Sequence, residues 1–159
     1  MEMALSEDQI QYLNHHPPGE AVARALSELL VNDCDLLGID ANERSITFRF
    51  AMYLQRHFPD WTVDCEYNRD GAEPKRLGHL YPDSEDDEAK TVFPDVIVHR
   101  RGTRNNYLVL EFKKSTSRVD RQIDLRKLRG YKQQLGYEHA LFVEVGTEGQ
   151  AIITMLEWA

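Results

Sequence analysis

The sequence predicts an α/β fold built around a mixed β-sheet. Three observations indicate it. Apolar residues recur at helical spacing through the first third of the chain, and runs rich in β-branched residues follow. One further helical segment lies between the third and the fourth of the predicted strands. A chain of 159 residues suits one domain with a small addition. We expect an N-terminal helical extension over 1–38, packed on a core domain over 39–159.

The extension is predicted to be helical from Ser6 onwards. Ser6 and Gln9 have the spacing of a capping box, and Pro17-Pro18-Gly19 interrupts the helical segment. The segment after this break carries an apolar stripe and is expected to end at Gly38. The stripe consists of Leu26, Leu29 and Leu30. Its simplest role is packing on the chain's own core, and the alternative is a surface for a partner chain.

The first helix of the core is predicted to begin near Glu43 and to end at Pro59. The segment Asp40-Ala41-Asn42-Glu43 has the spacing of a capping box. One face of the helix combines this glutamate with a largely apolar set: Glu43, Ile46, Thr47, Phe50 and Leu54. Glu43 can therefore be a helix cap, or a site residue that heads a core-facing stripe.

Five strands and one more helix complete the predicted core. The strands are expected over 61–67, 91–99, 107–113, 140–145 and 151–156. A long polar loop with the acidic run 83–88 is predicted between the first two strands, and its simplest interpretation is a solvated insertion. The helix over 120–137 has an apolar stripe of Leu125, Leu128, Tyr131 and Leu135. Lys127 lies beside this stripe, whereas Arg126 and Arg129 point further outward.

Three charged residues on the second and third strands indicate a chemical site. Asp95 opens one strand of a predicted hairpin, and Glu111 and Lys113 share a face of the other strand. A carboxylate or ammonium in such an apolar run must be paired or bind a metal. Two carboxylates with waters suit Mg²⁺, and a nearby lysine can orient a water for attack on phosphorus. The alternative for Glu111 and Lys113 is an exposed cross-strand ion pair.

These residues give the chain a resemblance to a known superfamily. Phe93-Pro94-Asp95, followed after fifteen residues by Glu111-Phe112-Lys113, resembles the signature of the PD-(D/E)XK nucleases. The predicted element order from Asp40 to the C-terminus is also similar to the restriction-endonuclease-like αβββαβ core of that superfamily. The resemblance implies Mg²⁺-dependent hydrolysis of phosphodiester bonds, with Mn²⁺ as a substitute, in DNA or less often in RNA.

The resemblance also assigns roles to the motif residues. It implies that Asp95 and Glu111 are metal ligands, with the carbonyl of Phe112 as a further ligand. Lys113 would be the catalytic lysine. In many members a glutamate on the first core helix completes the metal site, and only Glu43 matches it in position.

One residue of the last core helix is a further candidate for the catalytic site. Members of the superfamily often carry a polar residue on the helix after the motif strand, and Lys127 is the best match. A lysine that extends its stem along the apolar stripe and keeps its ammonium in water would account for the same residue.

Charge is distributed unevenly along the chain. The net charge is −8, yet the segment from His99 to Lys132 carries eleven lysine and arginine residues against three carboxylates. One interpretation is a solvated helix face. The other is a surface that holds a phosphate backbone without reading its sequence. The residues expected to contact nucleic acid are Lys114, Arg118, Arg126 and Arg129.

Several sequence features are missing that would indicate other classes of protein. The sequence has no phosphate-binding Gly-Lys-Ser/Thr loop, and Cys34 and Cys65 cannot build a disulfide framework or a four-cysteine zinc site. No signal peptide and no apolar run of about 20 residues occurs, so we expect a cytoplasmic protein without membrane association. The length leaves no room for a separate recognition domain. Specificity is therefore expected from loops, from a homodimer or from a partner protein.

Two functions stay open at this point. The first is a nuclease that acts on DNA, with RNA as the less expected substrate. The second is a catalytically inactive subunit of the same fold that binds nucleic acid or protein within a larger complex. The acidic run 83–88 favours the second, because it would repel a polyanion. The joint presence of Asp95, Glu111 and Lys113 favours the first, because a binding module has no need of buried like charges.

Overall fold

The computed structural model describes residues 5–68 and 93–159. The chain begins with helices α1 (Glu7–Leu13), α2 (Gly19–Asn32), α3 (Cys34–Gly38) and α4 (Glu43–Arg56). Strands β1 (Thr62–Cys65), β2 (Val96–His99) and β3 (Asn106–Lys114) follow, then helix α5 (Arg121–Leu135) and strands β4 (His139–Gly146) and β5 (Ile152–Trp158). The α/β class and the predicted element order are confirmed. The predicted acidic loop, apart from Asn68, and the first two residues of the predicted second strand lie outside the described residues.

The five described strands form one mixed sheet in the order β1-β2-β3-β4-β5. β3 and β4 are parallel and α5 connects them, while the other neighbouring strands are antiparallel. In the β2–β3 hairpin, Val96 pairs with Leu110. Asp95, the residue before β2, therefore comes level with Glu111. The hairpin on which the predicted site depends is thus present.

Side chains of the sheet alternate between two apolar clusters. One cluster joins the sheet to α2 and α4, and there the rings of Phe112 and Phe50 have centroids 4.9 Å apart. The other cluster joins the sheet to α5 and includes Val109. Because strand side chains alternate, Glu111 and Lys113 lie on the same face as Val109, toward α5.

The N-terminal helices pack against the rest of the chain. Ser6 and Gln9 form the predicted capping box of α1, and the Gln9 side chain also donates a hydrogen bond of 2.8 Å to the carbonyl of Ile153 on β5. A Cβ at Gly19 would lie 1.9 Å from the carbonyl oxygen of Leu13, so only glycine permits the close turn between α1 and α2. The predicted stripe is buried at Leu26, Leu29 and Leu30. None of the described helices combines the length and the apolar character needed to cross a membrane.

Helix α4 begins at a different cap from the predicted one. The side chain of Asn42 accepts a hydrogen bond of 2.9 Å from the backbone N–H three residues along, so the predicted capping box from Asp40 to Glu43 is wrong. Asp40 has a positive φ of 55°, and its carboxylate instead accepts hydrogen bonds from the hydroxyls of Thr116 and Thr147. Glu43 is the first helical residue, and its carboxylate is therefore available to groups outside its own helix.

Candidate functional site

The motif residues meet where β2 begins and β3 ends. Asp95 and Glu111 lie level with each other across the hairpin, and their carboxyl groups are close enough for each to shift the pKa of the other. Oδ2 of Asp95 also accepts a hydrogen bond of 2.8 Å from the backbone N–H of Phe112. The structure thus brings the two predicted carboxylates together at the backbone of Phe112.

Burial dominates the electrostatics of this carboxyl pair. Glu111 is only 4% exposed, and its Oε1 accepts a hydrogen bond of 2.8 Å from the hydroxyl of Tyr131 on α5. Loss of solvation, and then the charge of Asp95, raise the pKa of Glu111 well above its ordinary value. Burial likewise raises the pKa of Asp95, although hydrogen bonds from Glu111 and from the Phe112 N–H oppose it. Two neighbouring carboxyl groups in a poorly solvated place are stabilised when a proton or a cation lies with them.

Lys113 lies two residues beyond this pair and is held by acids from two helices. Its Nζ is 3.3 Å from Oδ2 of Asp124 on α5 and 3.9 Å from Oε1 of Glu43 on α4. Burial, the largest single influence, would lower the pKa of Lys113, but the charges of Asp124 and Glu43 outweigh it and the pKa is raised. Lys113 therefore carries its charge at neutral pH. The exposed cross-strand pair considered for Glu111 and Lys113 is wrong, because Glu111 is buried against other partners.

Glu43 reaches the end of β3 from the first turn of α4. Its Oε2 accepts a hydrogen bond of 3.0 Å from the backbone N–H of Lys114, and its charge raises the pKa of Asp95. Glu43 therefore belongs to the same site, as its sequence position suggested. Within residues 5–68 and 93–159 no group of three His, Cys, Asp or Glu side chains is placed to hold a metal ion, and the role of Glu43 as a ligand stays a prediction.

Lys127 lies beside the apolar stripe of α5, as predicted, and is half-buried. Its positive charge lowers the pKa of Glu111 and partly opposes the effect of burial. It makes no ion pair with a carboxylate in the described part of the chain. Lys127 is thus close enough to influence the site electrostatically, while its role in catalysis stays a prediction.

The ionisable groups around the end of β3 do not balance in charge. Four carboxyl groups and two ammonium groups lie there: Glu43, Asp95, Glu111 and Asp124 against Lys113 and Lys127. Full ionisation would leave two negative charges uncompensated among these six groups. One divalent cation would neutralise them.

Some cations of the predicted basic surface form ion pairs with carboxylates, and others are exposed. Nζ of Lys114 lies 3.2 Å from Oδ1 of Asp40, and this pair fixes the end of β3 to the loop before α4. Nε of Arg121 lies 2.6 Å from Oε2 of Glu144, which similarly anchors the start of α5. Three predicted contact residues are exposed and make no ion pair among the described residues: Arg118, Arg126 and Arg129.

Two residues of the site were not recognised as such in the sequence. Asp124 is 2% exposed and holds Lys113, and Tyr131, assigned only to the apolar stripe, donates to Glu111. A signal for Asp124 was present, because it lies four residues before Leu128 and so shares the buried face of the helix. For Tyr131 the signal was chemical, because a buried tyrosine hydroxyl usually finds a polar partner.

Comparison of the chain with protein-family models, with curated proteins and with solved structures gave no significant match. The function therefore has to be inferred from the residues and their geometry.

Proposed function

We propose that this chain is a Mg²⁺-dependent nuclease of the PD-(D/E)XK type that hydrolyses phosphodiester bonds in DNA. The observation that carries the proposal is the pair of neighbouring carboxyl groups at the end of a hairpin, Glu111 buried and Asp95 partly buried, with the ammonium of Lys113 beside them. Buried like charges are costly unless they serve a cation or a reaction.

The donor set fits magnesium. Mg²⁺ takes oxygen ligands, keeps several waters, and is usually bound through one or two carboxylates together with substrate phosphates. Asp95 and Glu111 would supply the two carboxylates, and the backbone carbonyl of Phe112 is the further ligand that the motif implies. The two negative charges that full ionisation would leave around the end of β3 support the same assignment. When bound, the ion would neutralise charge that develops on the phosphate oxygens.

The protein's own groups have separable tasks in this scheme. The ammonium of Lys113 donates a hydrogen bond to a water or to a phosphate oxygen and so orients the water for in-line attack. The water oxygen bonds to phosphorus, the bond from phosphorus to the leaving sugar oxygen breaks, and the water's proton is released as the leaving oxygen gains one. Tyr131 keeps the carboxylate of Glu111 directed into the site through its hydrogen bond. Arg118, Arg126 and Arg129 would hold the phosphate backbone.

One observation favours the second candidate function, a nuclease-fold subunit without activity. Oε2 of Glu43 accepts a hydrogen bond from the Lys114 backbone N–H, so this carboxylate already has a structural task at the end of β3. In such a subunit the exposed arginines would still bind nucleic acid, but Lys113 would serve only the fold.

Cleavage assays separate these two functions. Labelled single- and double-stranded DNA and RNA are incubated with the parent or with Lys113→Ala in the presence of Mg²⁺ or Mn²⁺. We expect cleavage by the parent and a loss of about 10²–10⁴ in rate for Lys113→Ala, the size of a general acid–base contribution. Lys132→Ala is the matched control, because that lysine bonds to the carbonyl of Ala159 away from the site. A parent that cleaves no substrate, or a Lys113→Ala variant as fast as the parent, would contradict the proposal.

A further inference from the structure

Asp124 is a buried acid that the scheme above leaves without a task. It lies in the first turn of α5, is 2% exposed, and faces the end of β3. Its Oδ2 has no hydrogen-bond partner among the described residues beyond the ion-pair contact of 3.3 Å with Nζ of Lys113. Among the described residues, the ion-pair partner of this carboxylate is therefore the lysine of the motif.

Stability alone does not explain such a pair. Burying an acid and a base commonly costs as much free energy of solvation as their mutual attraction provides. Well-packed apolar residues in their place often give the fold the same stability. The start of a 15-residue helix favours the negative charge of Asp124, which lowers the cost of keeping it there. A carboxylate maintained at this position is thus better explained by what it does to Lys113 than by what it adds to the fold.

The geometry points to Asp124 as a positioning residue that holds the ammonium of Lys113 in its working orientation. This inference rests on the proposed nuclease function. An ammonium group has three N–H donors. Asp124 at 3.3 Å on α5 and Glu43 at 3.9 Å on α4 attract the ammonium through ion-pair contacts. Its N–H donors can then be directed to a water or a phosphate oxygen at the Asp95–Glu111 pair.

Of the two acids, Asp124 is the principal anchor. It is nearer to Nζ and almost fully buried, whereas the side chain of Glu43 is 34% exposed and also bonds to the Lys114 backbone. A buried side chain on a helix is also a more rigid support than an exposed one. Removing the charge of Asp124 should therefore free the ammonium without displacing the carboxyl pair.

The kinetic test is a double-mutant cycle on the cleavage of labelled DNA oligonucleotides at saturating MgCl2. Asp124→Asn keeps the size of the side chain and should lower kcat by about 10- to 100-fold, since small misplacements of a catalytic group have effects of this order. KM should stay within about 2-fold, because Asp124 does not touch substrate. In a Lys113→Ala background the same substitution should cause no further loss. Asp60→Asn, at an exposed position, is the matched control.

A second measurement does not depend on activity. NMR spectra of the lysine Cε groups, with Lys113 assigned by its absence in Lys113→Ala, report whether the ammonium end is held. Two distinct Hε shifts are expected for Lys113 in the parent, and one averaged shift in Asp124→Asn. Asp124→Glu, which keeps the charge, should restore part of both the rate and the shift difference.

The outcomes distinguish the two proposals. A kcat loss that persists in the Lys113→Ala background, or Lys113 signals unchanged in Asp124→Asn, would overturn the positioning role while the nuclease stands. A parent that cleaves no DNA overturns the nuclease, and the catalytic meaning of the Asp124–Lys113 pair with it, whatever the NMR shows. The inference is supported if Asp124→Asn lowers kcat but not KM, if it has no further effect in the Lys113→Ala background, and if Asp124→Glu restores part of the rate.

Discussion

The hydroxyl of Tyr131 on α5 donates a hydrogen bond of 2.8 Å to Oε1 of Glu111 on β3, inside a site that solvent hardly reaches. This bond joins the helix to the acidic end of the hairpin across an otherwise apolar contact. It also fixes which way the Glu111 carboxyl faces. The other carboxyl of the pair, Asp95, is fixed by the backbone of Phe112.

Replacing Tyr131 by phenylalanine should therefore lower the free energy of unfolding and also release the Glu111 carboxyl group from its fixed orientation. The change leaves a buried carboxyl group short of one donor, and a loss of that kind is typically about 1–3 kcal/mol in the free energy of unfolding. Urea denaturation in EDTA measures it. Tyr107→Phe is the control, because the Tyr107 hydroxyl makes no hydrogen bond within the described residues, and its effect should stay within about 0.5 kcal/mol. Equal effects of the two substitutions would show that the bond to Glu111 contributes nothing.

The metal-free protein should lose stability as the pH rises. Folding raises the pKa of Glu111 above its ordinary value of 4.5. The stabilising contribution of the neutral group is therefore complete below that ordinary value and is lost as the pH rises through the raised pKa. We expect the melting temperature in EDTA to decline as the pH rises above the ordinary pKa of this carboxyl group, and Glu111→Gln to remove much of this decline.

Two histidines also make the stability depend on pH, and their contribution changes in the opposite direction to that of Glu111. Burial lowers the pKa of His16 and of His139, so their contribution is lost as the pH falls below 6.5 and regained on the way up. The comparison of the parent with Glu111→Gln cancels this effect, because both proteins keep the two histidines. Parallel pH curves for the two proteins would contradict the raised pKa of Glu111.

Charge reversal on α5 should weaken the binding of nucleic acid. Arg126→Glu and Arg129→Glu each remove one exposed cation, and each lost phosphate contact should reduce the log–log salt slope by about 0.9 for duplex DNA. Fluorescence anisotropy over a range of salt concentrations measures both affinity and slope. Arg24→Glu on α2 is the matched reversal at an exposed position, where the ion-pair partner within the described residues is Glu20. If all three variants behave alike, the substrate does not run along α5.

The sequence was sufficient to predict the elements and the meeting of the motif residues. Residue types predicted both: a run rich in strand-forming residues indicated β3, turn residues indicated the hairpin, and the pairing of Asp95 with Glu111 follows from the hairpin register. The α4 cap was not predictable, because Asp40 and Asn42 both have suitable side chains and spacing. Contacts of Asp40 with Thr116 and Thr147, distant in sequence, decide between them.

The contacts that α5 makes with the site could not be predicted from the sequence pattern either. Helical periodicity shows that Asp124 and Tyr131 face the sheet, but it does not show which strand residues they meet. The parallel pairing of β3 with β4 sets the position of α5 over Glu111 and Lys113, and that pairing depends on the whole sheet. The resemblance indicated a polar residue on this helix, and it pointed to Lys127 alone.

The central claim is that Asp95 and Glu111 together hold a divalent cation, and titration calorimetry with MgCl2 or MnCl2 tests it most directly. The parent should bind one ion, and Asp95→Asn/Glu111→Gln should bind none while remaining folded, because amide oxygens supply no charge to replace that of the carboxylates. Asp8→Asn/Glu7→Gln, on the exposed face of α1, is the matched control and should bind as the parent does. Equal binding by the parent and by Asp95→Asn/Glu111→Gln, or no binding by a folded parent, would contradict the claim.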